Sequence, residues 1–161
     1  MNKQIILLSG KRFNGKGSTC DILSDHLKSL NISCCNISFS HSLKKIFCKN
    51  NNLDLNKFMN CHEYKNMYRD QLTNYFKTTD PIIYANAMQN MIEHSNHDII
   101  IIDDLRLMCH VDFMRQNYSN MKIIRVNSNN ENRESRGWVK SDYDNEQCEN
   151  ELDDYEGFDL I

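Results

Sequence analysis

The residues best suited to chemistry form one short stretch near the N-terminus, Gly10-Lys11-Arg12-Phe13-Asn14-Gly15-Lys16-Gly17-Ser18. The pattern Gly-x-x-x-x-Gly-Lys is typical of a loop whose backbone N–H groups surround phosphate oxygens while the lysine reaches the outer phosphates. The next position is Gly17, where a serine or threonine normally ligates Mg²⁺, but Ser18 offers a hydroxyl one residue later. We expect this loop to bind phosphate. The alternative is an ordinary glycine-rich turn with a solvated lysine.

A second group of polar residues follows the apolar run 99–102. Asp103, Asp104 and Arg106 come directly after four consecutive isoleucines, a pattern typical of a strand buried on both faces of a parallel sheet. Open α/β sheets bind their ligands at this end of the strands. We expect an acid here to hold Mg²⁺ and Arg106 to contact an anion. The alternative is a polar strand exit that caps the next helix.

Further cations occur in two predicted helices. Lys44 lies near the start of a helix that we expect Ser40 or Ser42 to cap, where a cation opposes the helix dipole. Lys65 and Arg69 are four residues apart, so they would share one face of a helix predicted over 61–77. Judged from these residues alone, an ordinary solvated face is the favoured interpretation.

The polar segment 127–140 has no apolar period and contains Arg133 and Arg136. Such a loop has the features of a closing lid, which excludes water and brings cations to a transferring phosphoryl group. A simple solvated loop is an equal alternative.

The apolar periodicity predicts the elements that position these residues. A strand at 5–8 precedes the loop, and a helix follows it over 20–30. Asp80 and Pro81 predict the cap and first residue of a helix that continues to about residue 94. The acidic segment 142–156 is expected to be a surface loop with a little helix. The remaining predictions are strands at 32–39 and 121–126, a short helical turn at 53–58, a helix at 107–118 and the beginning of a last strand at 156–161.

Length and composition limit the functional classes. A chain of 161 residues with a net charge of −3 suggests one domain and gives no electrostatic case for nucleic acid or an anionic membrane. We expect no membrane span or signal peptide, and no metal site at His94 and His97. The seven cysteines are odd in number and lack C-x-x-C spacing, which favours reduced thiols in a cytoplasmic protein. We also expect a monomer.

Several motifs, taken in order, resemble the animal-type phosphomevalonate kinases of the nucleoside-monophosphate-kinase-like P-loop group. The most specific is Arg133-Glu134-Ser135-Arg136-Gly137-Trp138-Val139, because the Gly-Lys loop alone is generic. The other matching stretches are Leu7 to Arg12 with Gly15-Lys16, Ser42-Leu43-Lys44, Tyr64-Lys65, Arg69-Asp70, Asp80-Pro81, Asp104 with Arg106, Arg125-Val126 and Gly157-Phe158-Asp159.

The resemblance implies a single P-loop NTPase domain over 1–161, an α/β three-layer sandwich with a central, mostly parallel sheet. It implies transfer of the γ-phosphoryl group of ATP, with Mg²⁺, to 5-phosphomevalonate, as in isoprenoid and sterol biosynthesis. The acceptor-binding helical region would span about 40–95 and the lid about 128–140. By the same resemblance, Lys16, Arg106 and Asp104 are catalytic and Asp104 holds the metal; residues 11–18, Arg133 and Arg136 bind the nucleotide; and Lys44, Lys65, Arg69 and Arg106 bind the acceptor.

Some positions depart from the family pattern. Gly17 stands where the family has aspartate, Leu107 replaces a second arginine, and Lys77 replaces an arginine and so loses its planar fork. The family pattern also continues past Ile161 into a turn and helix, so we expect that segment to be missing. Two alternatives therefore stay open: a nucleoside or deoxynucleoside monophosphate kinase, and a catalytically silent nucleotide-binding protein.

Overall fold

The computed structural model describes residues 3–161, and for residue 62 the backbone only. Strands and helices alternate up to residue 50 and again after residue 98, and further helices fill the chain between these two parts. In chain order the elements are β1 (Gln4–Ser9), α1 (Lys16–Ser29), β2 (Cys34–Ile37), α2 (Phe39–Asn50), α3 (Leu55–Asn60), α4 (His62–Met67), α5 (Arg69–Thr78), α6 (Pro81–Glu93), β3 (Ile99–Leu105), α7 (Met108–Asn117), β4 (Met121–Arg125), α8 (Asn130–Ser135), a 3₁₀ turn (Asp142–Asn145) and α9 (Gln147–Asn150).

The four strands form one sheet in the order β2-β3-β1-β4, and every neighbouring pair is parallel. In the register, Ile5 pairs with Ile100 of β3 on one side and with Met121 of β4 on the other. The central strands β1 and β3 are the two apolar runs of the sequence, as strands covered on both faces require. The carboxyl ends of the strands therefore meet at one edge.

Helices cover both faces of this sheet. On one face Leu8 and Ile101 pack against Cys20 of α1. On the other face the larger cluster brings α2, α6 and α7 onto the sheet through residues such as Leu43, Met88 and Val111. The predicted three-layer α/β architecture with a parallel central sheet is thus confirmed.

The helix predicted over 61–77 is wrong as a single element, because it is interrupted at Tyr68 between α4 and α5. The Tyr68 ring lies 5.3 Å from that of Tyr64 and 6.4 Å from that of Phe58, centroid to centroid. These rings belong to a small separate core with Phe47 under the peripheral helices. The Tyr68 ring thus packs into this small core at the position where the helix is interrupted. As a result, Lys65 and Arg69 lie on two different helices.

Helix boundaries show where local signals were sufficient. Asp80 caps α6 by accepting from the N–H of Ile82 at 3.0 Å, as predicted. The cap predicted at Ser40 or Ser42 is wrong: α2 begins at Phe39, and Ser38 accepts from the N–H of His41 at 3.0 Å. Helix α2 can begin earlier than predicted because β2 ends at Ile37, one residue before the Ser38 cap.

Two predictions concern the C-terminal third. The segment 127–140 was expected to be a loop throughout, but it contains the short helix α8, capped by Asn129. In place of the predicted last strand there is a single parallel bridge, in which Leu160 pairs with Ile124 and the Leu160 carbonyl accepts from the N–H of Arg125 at 2.8 Å.

Within residues 3–161 no helix combines the length and the apolar character that crossing a bilayer would require.

Candidate active site

The Gly-Lys loop lies between β1 and α1, at the carboxyl edge of the sheet. The ammonium of Lys16 donates to the carbonyl of Gly10 at 2.6 Å and to that of Lys11 at 2.9 Å, so the side chain folds back over the loop. Gly10 has φ 145°, and a Cβ there would lie 2.4 Å from the carbonyl oxygen of Val126. The loop therefore requires glycine at this position. Because α1 begins at Lys16, its first N–H groups have no partner inside the helix and are free to meet an anion.

Burial, together with the charge of nearby Arg106, lowers the pKa of Lys16 from 10.5 to about 8, while Glu149 opposes the shift. The folded site therefore holds this ammonium at a cost that a bound anion would remove. A lysine in that condition is suited to phosphate.

A cavity of about 570 Å³ opens beside the loop, bounded by the start of α2 and the end of β3. Cationic side chains dominate its wall, as expected of a site for anionic ligands. Its lining residues are Arg12, Phe13, Gly15, Lys16, Gly17, Ser18, Ser38, Ser40, Lys44, Asp103, Asp104, Arg106 and Arg136. The structure thus brings together residues that are more than 120 positions apart.

Asp103 and Asp104 both line this cavity, at the point where the regular pairing of β3 with β1 shifts between Ile102 and Leu105. Asp104 accepts from the N–H groups of Phe39 and Ser40, both at 2.8 Å, and so ties β3 to the start of α2. Burial and the neighbouring Asp104 raise the pKa of Asp103. A desolvated pair of carboxylates is an arrangement that a divalent cation would relieve.

The donors near these acids suit Mg²⁺. Ser18 lines the same cavity, whereas the Thr19 hydroxyl already donates to the carbonyl of Gly15 at 3.0 Å. No three histidine, cysteine, aspartate or glutamate side chains lie together as a metal cage among the described residues. Two carboxylates and a hydroxyl beside a phosphate site nevertheless match the way Mg²⁺ is usually bound, through few protein oxygens plus substrate and water.

Three of the four cations predicted to bind the acceptor, Lys44, Lys65 and Arg69, differ in their position relative to the cavity. Lys44 lies in the cavity wall, and burial followed by the charge of Lys65 lowers its pKa. Lys65 is thus close enough to act electrostatically, although it is not among the described residues of the wall. Arg69 is exposed at the start of α5, outside that wall.

The two arginines of the predicted lid also differ. Arg136 lies in the cavity wall, donates to the carbonyl of Phe13 at 3.1 Å, and places its guanidinium next to Gly15. Arg133 is buried, stacks on Trp138 at 3.9 Å, and donates to the carbonyl of Arg12 at 3.3 Å. Arg136 therefore faces the ligand space, while Arg133 holds the lid segment to the loop.

A second cavity of about 460 Å³ lies on the other side of the loop. Asn14 is buried there and donates to the carbonyl of Val126 at 2.9 Å. The remaining wall comes from Lys11, Arg125, Asn127, Ser128, Asn129 and Arg133. Residues of the loop and of the lid thus contribute to both cavities.

The acidic segment holds functional contacts that sequence reasoning missed. Residues 141–153, which we call the acidic strap, contain the predicted short helix and several exposed residues, but their carboxylates also contact the phosphate loop and Arg106, which was not expected. Asp144 accepts from Arg12 Nε at 3.0 Å, Asp153 pairs with Lys11 at 2.6 Å, and Glu149 pairs with Arg106. The only local hint was a run of carboxylates after a run of cations.

Asp144 shows how tightly the acidic strap is held. Burial alone would raise its pKa, but hydrogen bonds from the Ser141 N–H, the Trp138 ring and Arg12 hold it lower, at about 2. The carboxylate is therefore ionised at all ordinary pH values.

The model of the family described as phosphomevalonate kinase matches residues 8–120. The chain is 28% identical to the phosphomevalonate kinase of Drosophila melanogaster over 167 residues, covering 98% of this chain and 86% of the relative. Among solved structures, the shikimate kinase of Aquifex aeolicus aligns with a TM-score of 0.49 and 18% identity, over 98% of this chain and 84% of that one.

Proposed function

The chain belongs to the phosphomevalonate kinase family, and we propose that it transfers the γ-phosphoryl group of ATP to 5-phosphomevalonate, giving the diphosphate and ADP. It is a kinase, a phosphotransferase whose acceptor group is itself a phosphate. The observation that carries the proposal is the grouping of Arg12, Lys16, Lys44, Arg106 and Arg136 around one cavity at the carboxyl edge of the sheet. Two anionic substrates that must meet need such a surplus of positive charge.

The nucleotide is proposed to bind along the Gly-Lys loop. The N–H groups that open α1 and the ammonium of Lys16 would hold its phosphates, because both lie at the cavity beside the loop. Arg136 would contact the transferring group from the lid side. Arg133 is buried and donates to the carbonyl of Arg12, so it would support nucleotide binding by holding the lid segment against the loop.

The acceptor is proposed to bind between α2 and the end of β3. Lys44 and Arg106 line this side of the cavity, and Lys65 adds positive potential behind Lys44. Arg69 would reach the acceptor only if α5 approached the cavity, so we place it at the rim. Arg106 would lie between the two substrates and would neutralise charge on the group in transfer.

Asp104, with Asp103 and Ser18, would hold Mg²⁺. When bound, the ion supplies charge neutralisation to the nucleotide phosphates. Asp104 has a second task that the structure makes evident, since its two oxygens anchor the start of α2, and Lys44 lies on that helix.

The protein's own contribution is positioning and charge. Phosphoryl transfer to a phosphate oxygen requires no covalent intermediate with a side chain, only two substrates held in line and their charge neutralised. Lys16 must be protonated to act, and with a pKa of about 8 it is mostly charged at neutral pH. The lid segment adjoins the loop through Arg136, so its closure would exclude water from the reacting phosphates.

A coupled assay of ADP formation tests the proposal, with 5-phosphomevalonate compared against a panel of nucleoside monophosphates at the same concentrations. ATP-dependent turnover of phosphomevalonate alone is the expected result. Turnover of a nucleotide but not of phosphomevalonate would establish the monophosphate kinase instead. ATP binding by calorimetry with no turnover of any acceptor would establish a silent nucleotide-binding protein.

A further inference from the structure

Glu149 of the acidic strap links two parts of the site that come from distant segments of the chain. Its Oε2 accepts from the backbone N–H of Arg12 at 2.8 Å, and its Oε1 accepts from Arg106 Nη1. The side chain is only 8% exposed. One carboxylate therefore bridges the phosphate loop and the arginine that follows β3.

We propose that Glu149 is a positioning residue of phosphoryl transfer, which sets the Arg106 guanidinium relative to the phosphate loop. The inference rests on the proposed function, because it assigns Arg106 to the group in transfer. Glu149 itself would touch neither substrate.

A carboxylate is suited to this task because it has two separate oxygens. One oxygen holds the loop while the other holds the arginine, and an amide could offer an acceptor to only one of them. Both hydrogen bonds that described residues accept from the Arg106 guanidinium use Nη1, the second being to the Cys148 carbonyl at 3.3 Å. Three of its five N–H groups, on Nε and Nη2, thus remain for a phosphate.

Glu149 does not occupy the place of the substrate phosphates. Glu149 accepts from the N–H of Arg12, which lies early in the loop. The N–H groups that open α1 belong to residues 16–18, which come later in the loop and line the cavity. The contact thus fixes the shape of the loop and leaves its anion-binding end free.

The acidic strap is anchored independently of Glu149, so the bridge is not needed to keep the segment in place. Leu152 is 2% exposed within the main core, and Glu151 Oε1 accepts from the N–H of Met108 at 2.8 Å. Asn150 accepts from Lys11 Nζ at 3.0 Å and donates to the carbonyl of Asp144 at 2.8 Å. Removal of the Glu149 charge should therefore leave a folded protein whose site is misaligned.

The experiment compares Glu149→Gln with Glu156→Gln, the same change at an exposed glutamate seven residues further along the chain. For each full-length variant we would measure kcat and both KM values, ATP affinity by calorimetry, and Tm. A third variant, Arg106→Lys, alone and combined with Glu149→Gln, completes a double-mutant cycle.

Loss of a charge-assisted bridge should lower kcat in Glu149→Gln about ten- to hundred-fold. ATP binding should weaken about three-fold or more because the loop is less preorganised. Glu156→Gln should keep the kinetics of the unmodified chain.

Because the two changes act through one contact, the double variant should lose little more than Arg106→Lys alone. Losses that multiply in the double variant would overturn the proposal. So would a Glu149→Gln protein with normal kinetics and only a lower Tm, which indicates a structural role. Tighter ATP binding or faster turnover would also overturn it, since the carboxylate would then be a competitor for the anion site. If the unmodified chain phosphorylates no acceptor, the proposed function fails, and calorimetry with ATP still decides the role of Glu149.

Discussion

Replacement of Lys16 by methionine tests the core of the site, because it removes the ammonium and keeps the length of the side chain. The ammonium is held on the carbonyls of Gly10 and Lys11, and burial has lowered its pKa from 10.5 to about 8. That shift corresponds to about 3 kcal/mol by which the empty folded site disfavours the charge. Loss of the charge therefore relieves one cost in the folded state, while the two unpaired carbonyls add a cost of about 1–3 kcal/mol.

These opposing contributions leave stability nearly unchanged, so the effect should appear in catalysis. Removal of one preorganised donor from developing charge typically costs about 3–4 kcal/mol, and we expect kcat to fall about 10²- to 10³-fold. Tm should move by only a few degrees.

The assay is steady-state ADP formation with phosphomevalonate, together with a thermal melt of each protein. Lys49→Met is the matched control, because Lys49 is exposed near the C-terminal end of α2 and undergoes the same chemical change. Equal turnover in Lys16→Met and Lys49→Met would refute the assignment of the loop as the phosphate site. A Lys16→Met protein that melts far below the control would refute the balance of stability worked out above.

Three further predictions follow from single contacts. Because Lys16 loses its proton as the pH rises through about 8, kcat/KM for ATP should fall above that pH by up to about ten-fold per unit; a flat profile to pH 9.5 would contradict the low pKa. Gly10→Ala should destabilise the fold by about 2–4 kcal/mol in urea denaturation, because its Cβ would lie 2.4 Å from the Val126 carbonyl at positive φ, whereas Gly17→Ala, with open space around it, should not destabilise; equal midpoints would show that the loop can relax. Asp80→Ala should lower stability by about 1 kcal/mol through loss of the α6 cap, and Asp80→Asn should restore most of it; an unchanged Tm in the alanine variant would argue that the cap contributes nothing.

The sequence alone was sufficient wherever the signal is local. The strand-loop-helix around Gly10 and Lys16 needs only a buried apolar run, glycines where φ must be positive, and a helix that follows. The four isoleucines at 99–102 predicted a strand covered on both faces, and Asp80-Pro81 predicted the start of α6. The family resemblance implied the complete fold class and assigned Lys44 to the site, whereas the Gly-Lys loop and Arg106 were found from residue types and spacing alone.

Tertiary structure decided the features that depend on contacts between distant segments. The helix is interrupted at Tyr68, where the ring of this residue packs against Phe58 and Tyr64. The helical periodicity of residues 61–77 gives no sign of these contacts. The acidic strap has the composition of a solvated loop, yet Glu149 reaches Arg12, 137 residues away, because β1 and the end of β3 meet at one edge of the sheet. Local sequence records which groups can form a hydrogen bond or an ion pair, and the parallel sheet determines which of them come within 3 Å of each other.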